Sequence, residues 1–589
     1  MNASIVVLKF GSSVLQTAAQ LPLAVEEIYR EWRAGRHVIA VVSAFAGVTD
    51  QRFAQTRAVT ADLYEQAAWV AGGEEESGTQ LAAALNTNGV SARYVDAREA
   101  GLRAHGDPHE STPVALNTEF LRACLHEHAV LVVPGFIAQD IQGRCVLLGR
   151  GGSDLTALFL AKNLNACCRL LKDVDGVYES DPAIAENHAQ RFHRLSWRSA
   201  LEIGGRIIQP RALQFAQSHG QLFEVACVGS NLSTHVDHGP DEFATVTHET
   251  IQPIRVVLLG LGTVGLGVYA HLARHPDLFE VVRIVVKDPN KPRLAADINV
   301  DLPQALLSTD VWDAVTLPAD LVIETMGGLD PAGEIVHEAL LRGCAVVTAN
   351  KALIASRWWE KLSRFAQGDA PLLKFSAAAG GAVPVLETVS ALARHSGVAQ
   401  VRAILNGTCN FILDALERGV DFDSAVAQAQ ASGFAEADPH DDLVGMDAAR
   451  KLELIARAAF GEALPFELHV RGILGVTASM ASLVREEGLN LKLVASCERS
   501  EGHIRGVVKL YELPDSDFLA GARAEENRVE IVARNGEVVR LAGKGAGRWP
   551  TALSVLGDVH EYLRERRAAL GLSPLESAGE GAHAAVVNG

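Results

Sequence analysis

Four stretches of the chain carry side chains whose types and spacing suit chemistry. In Lys9-Phe10-Gly11-Ser12-Ser13 an apolar run ends in a lysine and a small-residue turn. The amides of such a turn can cradle phosphate and the lysine can neutralise it, although an ordinary strand-to-helix loop has the same letters. In Leu148-Gly149-Arg150-Gly151-Gly152-Ser153-Asp154 an arginine, flexible glycines, a serine and an aspartate converge where an apolar-periodic helix begins. A Ser or Asp cap would explain the small residues. It would not explain a cation at the positive end of the helix dipole, which needs an anion beside it; an anionic substrate next to a phosphate fits. Gly260-Leu261-Gly262-Thr263-Val264-Gly265 follows the apolar run from Ile254. Its glycines suit a tight turn, close approach to a pyrophosphate, and helix–strand packing. The fourth stretch runs from Glu436 through Asp442 and Asp447 to Lys451. Asp447 and Lys451 share a helix face, which alone reads as a surface ion pair of a few tenths of a kcal/mol. With Glu436 and Asp442 in the preceding turn, the set offers carboxylates for an amino group and a lysine for an alkoxide.

The elements that must position these groups repeat one order: strand, small-residue turn, helix. Ser4–Lys9 and His37–Ser43 read as buried strands with a helix between them over Leu23–Trp32; the second runs into Ala44-Phe45-Ala46-Gly47-Val48-Thr49-Asp50. Gly72-Gly73-Glu74-Glu75-Glu76-Ser77 reads as a helix start, its acids suited to the dipole of a first turn. Cys168–Leu171 is a strand that leads into Lys172-Asp173-Val174-Asp175-Gly176-Val177-Tyr178, a polar loop able to hold a nucleotide. Further on, strands at Phe279–Val286, Asp320–Glu324 and Val346–Thr348 lead to Lys287-Asp288, Thr325 and Asn350-Lys351. This repetition predicts mostly parallel sheets with sites at the strands' C-terminal ends.

Composition sets the outer limits. A chain of 589 residues holds three or more domains at roughly 150 residues each. Its 48% apolar and 6% aromatic content fits an α/β enzyme and excludes a disordered chain. The formal charge of -18 excludes a non-specific nucleic-acid binder, so any anion must be met by locally placed cations or amides. Eight cysteines without a CxxC pair suggest neither zinc nor a disulfide framework, and a reducing cytoplasm is the expected location. No basic, apolar leader opens the sequence and no apolar run is long enough for a bilayer, so a membrane is not an expected partner.

The first 238 residues resemble the amino-acid kinase family, most closely its aspartate kinases. The matching motifs are Lys9 to Gly11, Val41 to Asp50, Gly73 to Ser77, Leu148 to Asp154 and Asp173 to Pro182. The resemblance implies an α/β sandwich that transfers a phosphoryl group from ATP, with Mg2+ carried mainly by the phosphates, to the side-chain carboxylate of L-aspartate. Lys9 would stabilise the transferring group and Asp154 would orient Lys9. Ser43, Glu74 and Arg150 would hold aspartate; Gly11, Ser12, Asp173, Asp175 and Tyr178 would line the nucleotide pocket. The turn Lys9-Phe10-Gly11-Ser12-Ser13 is one residue shorter than the aspartate kinase pattern and closer there to glutamate 5-kinase. Gln209-Pro210-Arg211 stands where His-Pro-Arg is expected.

The second half resembles the homoserine dehydrogenase family. This implies a Rossmann nucleotide-binding domain at 253–375 and an α+β substrate and dimerisation domain at 376–535. It also implies a segment at 536–565 that returns to the nucleotide domain. Gly260, Gly262, Thr263, Val264, Gly265, Thr325 and Lys351 would bind the dinucleotide, and Lys287 after the second strand favours NADP(H) over NAD(H), with Asp288 keeping NAD open. Glu436, Asp442 and Asp447 would bind aspartate semialdehyde or homoserine, and Lys351 or Lys451 would move the hydroxyl proton. Ser376 replaces an acid that helps form a monovalent-cation site in relatives, so the metal is left open; Phe434 replaces a common tyrosine. Residues 239–252 read as a linker and 566–589 as a disordered tail. Between Val228 and Ile254 there are roughly 25 residues, too few for a domain of about 50, so regulatory ACT domains are not expected there. A homodimer or higher homo-oligomer is expected from the dehydrogenase resemblance. An alternative is that only the dehydrogenase half turns over and the kinase-like half binds amino acid or nucleotide.

Overall fold

The computed structural model describes residues 5–180, 189–203, 207–230, 232–244, 252–293, 300–368, 370–435, 438–461, 465–500 and 502–569. The chain folds as two compact units that divide near residue 250.

In the first unit, the strand Ile5–Phe10 is buried at every residue, as its unbroken apolar run requires of a parallel strand covered on both faces. It pairs in parallel with His37–Val42 on one side and Cys167–Lys172 on the other. Val130–Pro134 and Phe223–Cys227 extend the sheet in parallel. Among the described residues the sheet has nine strands. Its edge strand, Glu242–Phe243, lies inside the stretch read as linker and pairs antiparallel with Phe192–Ser196. Register assigns the faces. Lys9 lies opposite Leu170 and Leu8 opposite Arg169, so Lys9, Leu170 and Lys172 point to one face and Arg169 to the other. The helix Gly152–Leu164 covers the first face. On the second, Glu27 and Glu31 of the helix Leu21–Arg33 accept from Arg169.

One sequence expectation is corrected. Gly72–Ser77 does not start a helix; it lies inside Leu63–Thr87, whose beginning is capped by Asp62 Oδ1, which accepts from the N–H groups of Tyr64 and Glu65. The glycine pair resembles a break but permits close approach. A Cβ on Gly72 would lie 2.9 Å from Arg52 Nη1, and one on Gly73 3.0 Å from Val48 Cγ1. Glu74 therefore has no first-turn dipole to meet.

The second unit opens with Ile254–Leu259, set in parallel between Phe279–Val285 and Leu321–Glu324, with Ala345–Thr348 next. A second sheet pairs Val398–Ile404, Leu489–Ser500, His503–Pro514, Glu526–Ala533 and Val538–Lys544 antiparallel. Val538–Lys544 thus belongs to this sheet, although it falls in the segment expected to return to the nucleotide domain. The helix Arg548–Ala569 is the element that returns, packing Ala552, Val555, Leu556 and Val559 with Val256, Leu258 and Ile323. On the opposite face, Val257, Val322 and Val346 share one core with Ile412, Leu452, Ile455 and Val529 of the substrate region. Of the tail expected to be disordered, 566–569 end the last helix and 570–589 lie outside the described residues. No described helix is long and apolar enough to cross a membrane.

Candidate functional site

The kinase-like site is built around Asp154. It lies in the first turn of Gly152–Leu164, where the helix dipole favours an acid, and is 4% exposed. Its Oδ1 is 2.8 Å from Lys9 Nζ, and its Oδ2 accepts a 2.8 Å hydrogen bond from Lys172 Nζ. Burial alone would raise this carboxyl, but the two ammonium groups outweigh it and hold it down at about 2. Lys172 moves the other way: burial and then the nearby Lys9 lower its pKa. Lys9 and Asp154 are brought together as the sequence suggested. Lys172 was missed because it reads as the first residue of a polar loop, whereas it ends the strand Cys167–Lys172. Strand parity was the available signal, since it lies two residues beyond the partner of Lys9. A Cβ on Gly11 would lie 2.8 Å from Lys9 Nζ, so a side chain there would shift that ammonium group.

Glu74 is buried. The Ala44 N–H and the Thr49 hydroxyl donate to it, and Lys9 acts on it through space. Burial dominates and pushes its carboxyl up to about 8. Its Oε2 has no hydrogen-bond partner among the described residues, so a cation arriving there would both pair with Glu74 and ionise it. The Ser43 carbonyl accepts from Ser77 Oγ at 2.8 Å, which ties the turn after the second strand to the Glu74 helix. Arg150 is exposed and has no ion pair among the described residues. Its loop is held from beneath: Arg211 Nη1 donates to the Leu148 carbonyl at 2.7 Å, and a Cβ on Gly151 would strike Gln209 Cβ at 2.4 Å. Gln209-Pro210-Arg211 is therefore the bed of the arginine loop. Ser12 and Asp173 are exposed, and Tyr178 donates its hydroxyl to Asp175 Oδ1 at 2.8 Å. Asp181 and Pro182 lie outside the described residues.

In the second unit Asp447 has a parallel role. It sits in the first turn of Met446–Phe460 and is 6% exposed. Lys351 Nζ contacts its Oδ1 and Lys451 Nζ lies 2.9 Å from its Oδ2. Lys451 also donates to the Leu405 carbonyl at 2.8 Å. Burial would raise Asp447, but Lys451 and Lys351 together push its carboxyl far below the usual range. Asp442 is raised, mainly by burial, despite the Asn406 amide that lowers it. Asn406, which no sequence argument singled out, bridges the two acids: Nδ2 donates to Asp442 Oδ1 at 2.7 Å and to Asp447 Oδ2 at 3.0 Å. Its Oδ1 caps the helix Gly407–Glu417 by accepting from the Cys409 N–H. Glu436 lies outside the described residues.

The dinucleotide cradle fits its expected ligand. Gly260 has φ 94°; a Cβ on Gly265 would meet the Gly260 carbonyl at 2.1 Å, and one on Gly262 would meet nothing within 4 Å. The turn is thus closed beneath Gly265 and open above Gly262, with Thr263 and Val264 starting the helix Thr263–Arg274. Thr325 braces it, donating its hydroxyl to the Gly260 carbonyl at 2.9 Å. Buried Glu324 accepts from the Met326 and Gly327 N–H groups and from the Thr348 hydroxyl. Lys287 is exposed, without an ion pair among the described residues. Asp288 Oδ1 is occupied by the Asn290 N–H, and the Arg293 guanidinium by the carbonyls of Asp288, Pro289 and Lys291. A monovalent cation gains no carboxylate from position 376, where the Ser376 hydroxyl donates to Asp558 Oδ1 at 2.8 Å.

Residues 4–226 match the amino acid kinase family, 260–369 the homoserine dehydrogenase NAD binding domain, and 384–560 homoserine dehydrogenase. The homoserine dehydrogenase of Bacillus subtilis (strain 168) is 34% identical over 328 residues, a span of 54% of this chain and 74% of that relative. The chain belongs to the homoserine dehydrogenase family. The homoserine dehydrogenase of Mycobacterium tuberculosis (strain ATCC 25618 / H37Rv) is 36% identical over 326 residues, covering 54% of this chain and 73% of its own length. A solved homoserine dehydrogenase from Thiobacillus denitrificans aligns with a TM-score of 0.48 at 33% identity, covering 54% of this chain and 74% of that one. An amino acid kinase domain is fused ahead of the dehydrogenase, and residues 227–259 lie between the matched segments. Gly260, Thr325 and Lys351 fall within the NAD-binding match, and Asn406, Asp442, Asp447 and Lys451 within the catalytic one.

Proposed function

We propose that the first unit phosphorylates L-aspartate to 4-aspartyl phosphate with ATP-Mg, and that the second interconverts aspartate semialdehyde and L-homoserine with NADP(H). The observation that carries this reading is shared by both units: a buried aspartate, Asp154 or Asp447, pairs with two lysines, one of which, Lys9 or Lys351, lies at the C-terminal end of a parallel strand. In the kinase, Arg150 and Ser43 position the acceptor and Glu74 takes its ammonium group, while Lys9 meets the transferring phosphoryl group. Gly11, Ser12, Asp173, Asp175 and Tyr178 surround the nucleotide. Positioning and charge neutralisation suffice, because the attacking carboxylate is already ionised.

A bound nicotinamide supplies or accepts the hydride at the carbonyl carbon. Lys351 and Lys451 handle the proton on the oxygen, held in place by Asp447, while Glu436 and Asp442 bind the ammonium end of the substrate. Lys287 supports NADP(H), since neighbouring Asp288 and Arg293 are engaged within their own loop. The dehydrogenase is expected to work as a homodimer or higher homo-oligomer in the cytoplasm. The test is two assays on the purified chain, one with aspartate and ATP-Mg, the other with homoserine and NADP or NAD. Absence of either activity refutes that half of the reading. Threonine added to the first assay should not inhibit, since the short junction offers no ACT domain; saturable inhibition at submillimolar threonine would overturn this.

A further inference from the structure

The kinase unit contains one more cation than its motifs require. We propose that Lys172 is a second phosphoryl-binding cation, and that Asp154 is a clamp fixing Lys9 and Lys172 so that their remaining N–H donors face the substrate phosphates. The inference rests on the kinase reading above.

Register gives the placement. Lys172 lies on the same face as Lys9, two residues further along the neighbouring parallel strand, a stagger of about 7 Å along the sheet. It stands where the turn at Gly11 and the loop from Asp173 to Tyr178 leave the sheet. Both ammonium groups nevertheless reach one carboxylate, through separate oxygens.

Donor accounting argues against a purely structural role. An ammonium group has three donors. Lys172, whose side chain is 11% exposed, gives one to Asp154 and has no other acceptor among the described residues. The second unit provides the contrast. Lys492 is 0% exposed and donates to Asn410 Oδ1, Asp414 Oδ1 and the Ala522 carbonyl at 2.7–2.9 Å. Lys492 is saturated, whereas among the described residues Lys172 has a single acceptor. With Lys9 beside it, two ammonium groups share one carboxylate, which leaves a positive charge that a phosphate would offset.

In the reaction, an oxygen of the acceptor carboxylate bonds to the γ-phosphorus. The bond from that phosphorus to the β–γ bridging oxygen breaks, and the electron pair stays on the bridging oxygen. No proton enters or leaves. Lys172, on the side of the nucleotide loop, meets the charge that grows on the diphosphate leaving group, while Lys9 meets the transferring phosphoryl oxygens.

The test compares the full chain with Lys172→Met and Lys172→Arg, using ATP-Mg and aspartate, with the dehydrogenase rate of each preparation as the concentration control. One preorganised charge-stabilising donor is worth about 100-fold in kcat. Lys172→Met should lose about that much in kcat, while KM for aspartate changes little and the thermal unfolding of the kinase unit is retained. A loss in kcat below about tenfold, or a loss confined to KM, overturns the proposal with the kinase reading intact. An inactive parent chain overturns both. If Lys172→Met does not fold, Lys172→Arg decides: a folded Arg variant that keeps at least a tenth of the parent kcat supports a required cation, and a lower rate overturns it.

Discussion

Replacing Asp447 by asparagine removes the one charge shared by the two dehydrogenase lysines while nearly conserving volume. The carboxylate is 6% exposed and has three partners: Lys351, Lys451 at 2.9 Å and the Asn406 amide at 3.0 Å. Removing one member of a buried pair costs about 3–5 kcal/mol, because a charge is left without its counterion. The partners share this loss unequally. The Lys351 side chain is 31% exposed and can turn to water, so little of the cost falls on it. Lys451 is 12% exposed and keeps only the Leu405 carbonyl. We therefore expect the low end, about 3 kcal/mol of stability, in urea unfolding followed by a probe of the dehydrogenase unit. The same loss of lysine placement should lower kcat for homoserine oxidation about 100-fold, since each 1.4 kcal/mol is about tenfold, with a smaller change in the KM for NADP. The kinase assay should be unaffected. An Asp447→Asn variant within threefold of the parent kcat and within about 1 kcal/mol in stability would refute the argument, because Asp447 would then be a bystander to both lysines.

Glu74 gives the kinase a pH signature. Its folded-state carboxyl is raised to about 8 by burial, so the ionised form that receives an ammonium group increases as pH rises through that value. Between pH 6 and 8 the KM for aspartate should fall, and Glu74→Gln should abolish this trend; a parallel trend in the variant would assign the titration elsewhere. Lys287→Glu should lower kcat/KM for NADP at least about tenfold relative to NAD by removing the cation for the 2′-phosphate. An unchanged ratio of the two cofactors would dismiss Lys287. Lys492→Met should cost the dehydrogenase unit about 3–5 kcal/mol by leaving Asp414 uncompensated, and Lys492→Met with Asp414→Leu should recover most of it. Urea unfolding of both variants decides; equal losses would mean that the lysine stem, rather than the ion pair, matters.

The groups most legible in the sequence were those whose backbone context is local. The Gly260 turn follows an apolar run and precedes a helix, so three neighbouring signals agree, and the strand, turn and helix lie where expected. The contact of Asp154 with Lys9 was legible only through the family resemblance, because it depends on packing a helix against a strand far away in sequence. Lys172 was lost for a related reason: the strand end was placed one residue early, and that moved a lysine from sheet to loop. Asn406 has no local signal that sets it apart from other asparagines. Its value comes from one amide that caps a helix and bridges two acids, Asp442 and Asp447, that arrive on other elements. Gly72-Gly73 misled outright, since glycine punctuates a chain but also lets a neighbouring helix come close. The packed Arg52 and Val48 distinguish these uses.

The strand Cys167–Lys172 carries two cations with opposite destinations. Arg169 meets Glu27, Glu31 and Glu224 on one face, and Lys172 meets Asp154 on the other. Because the side-chain period is two, inserting or deleting one residue before Lys172 would turn it toward the three glutamates and leave Asp154 with Lys9 alone. Single substitutions along this strand need not exchange the two faces, but a one-codon frame-preserving insertion would. Its length between Cys167 and Lys172 is therefore as much a part of the site's inheritance as the residues themselves.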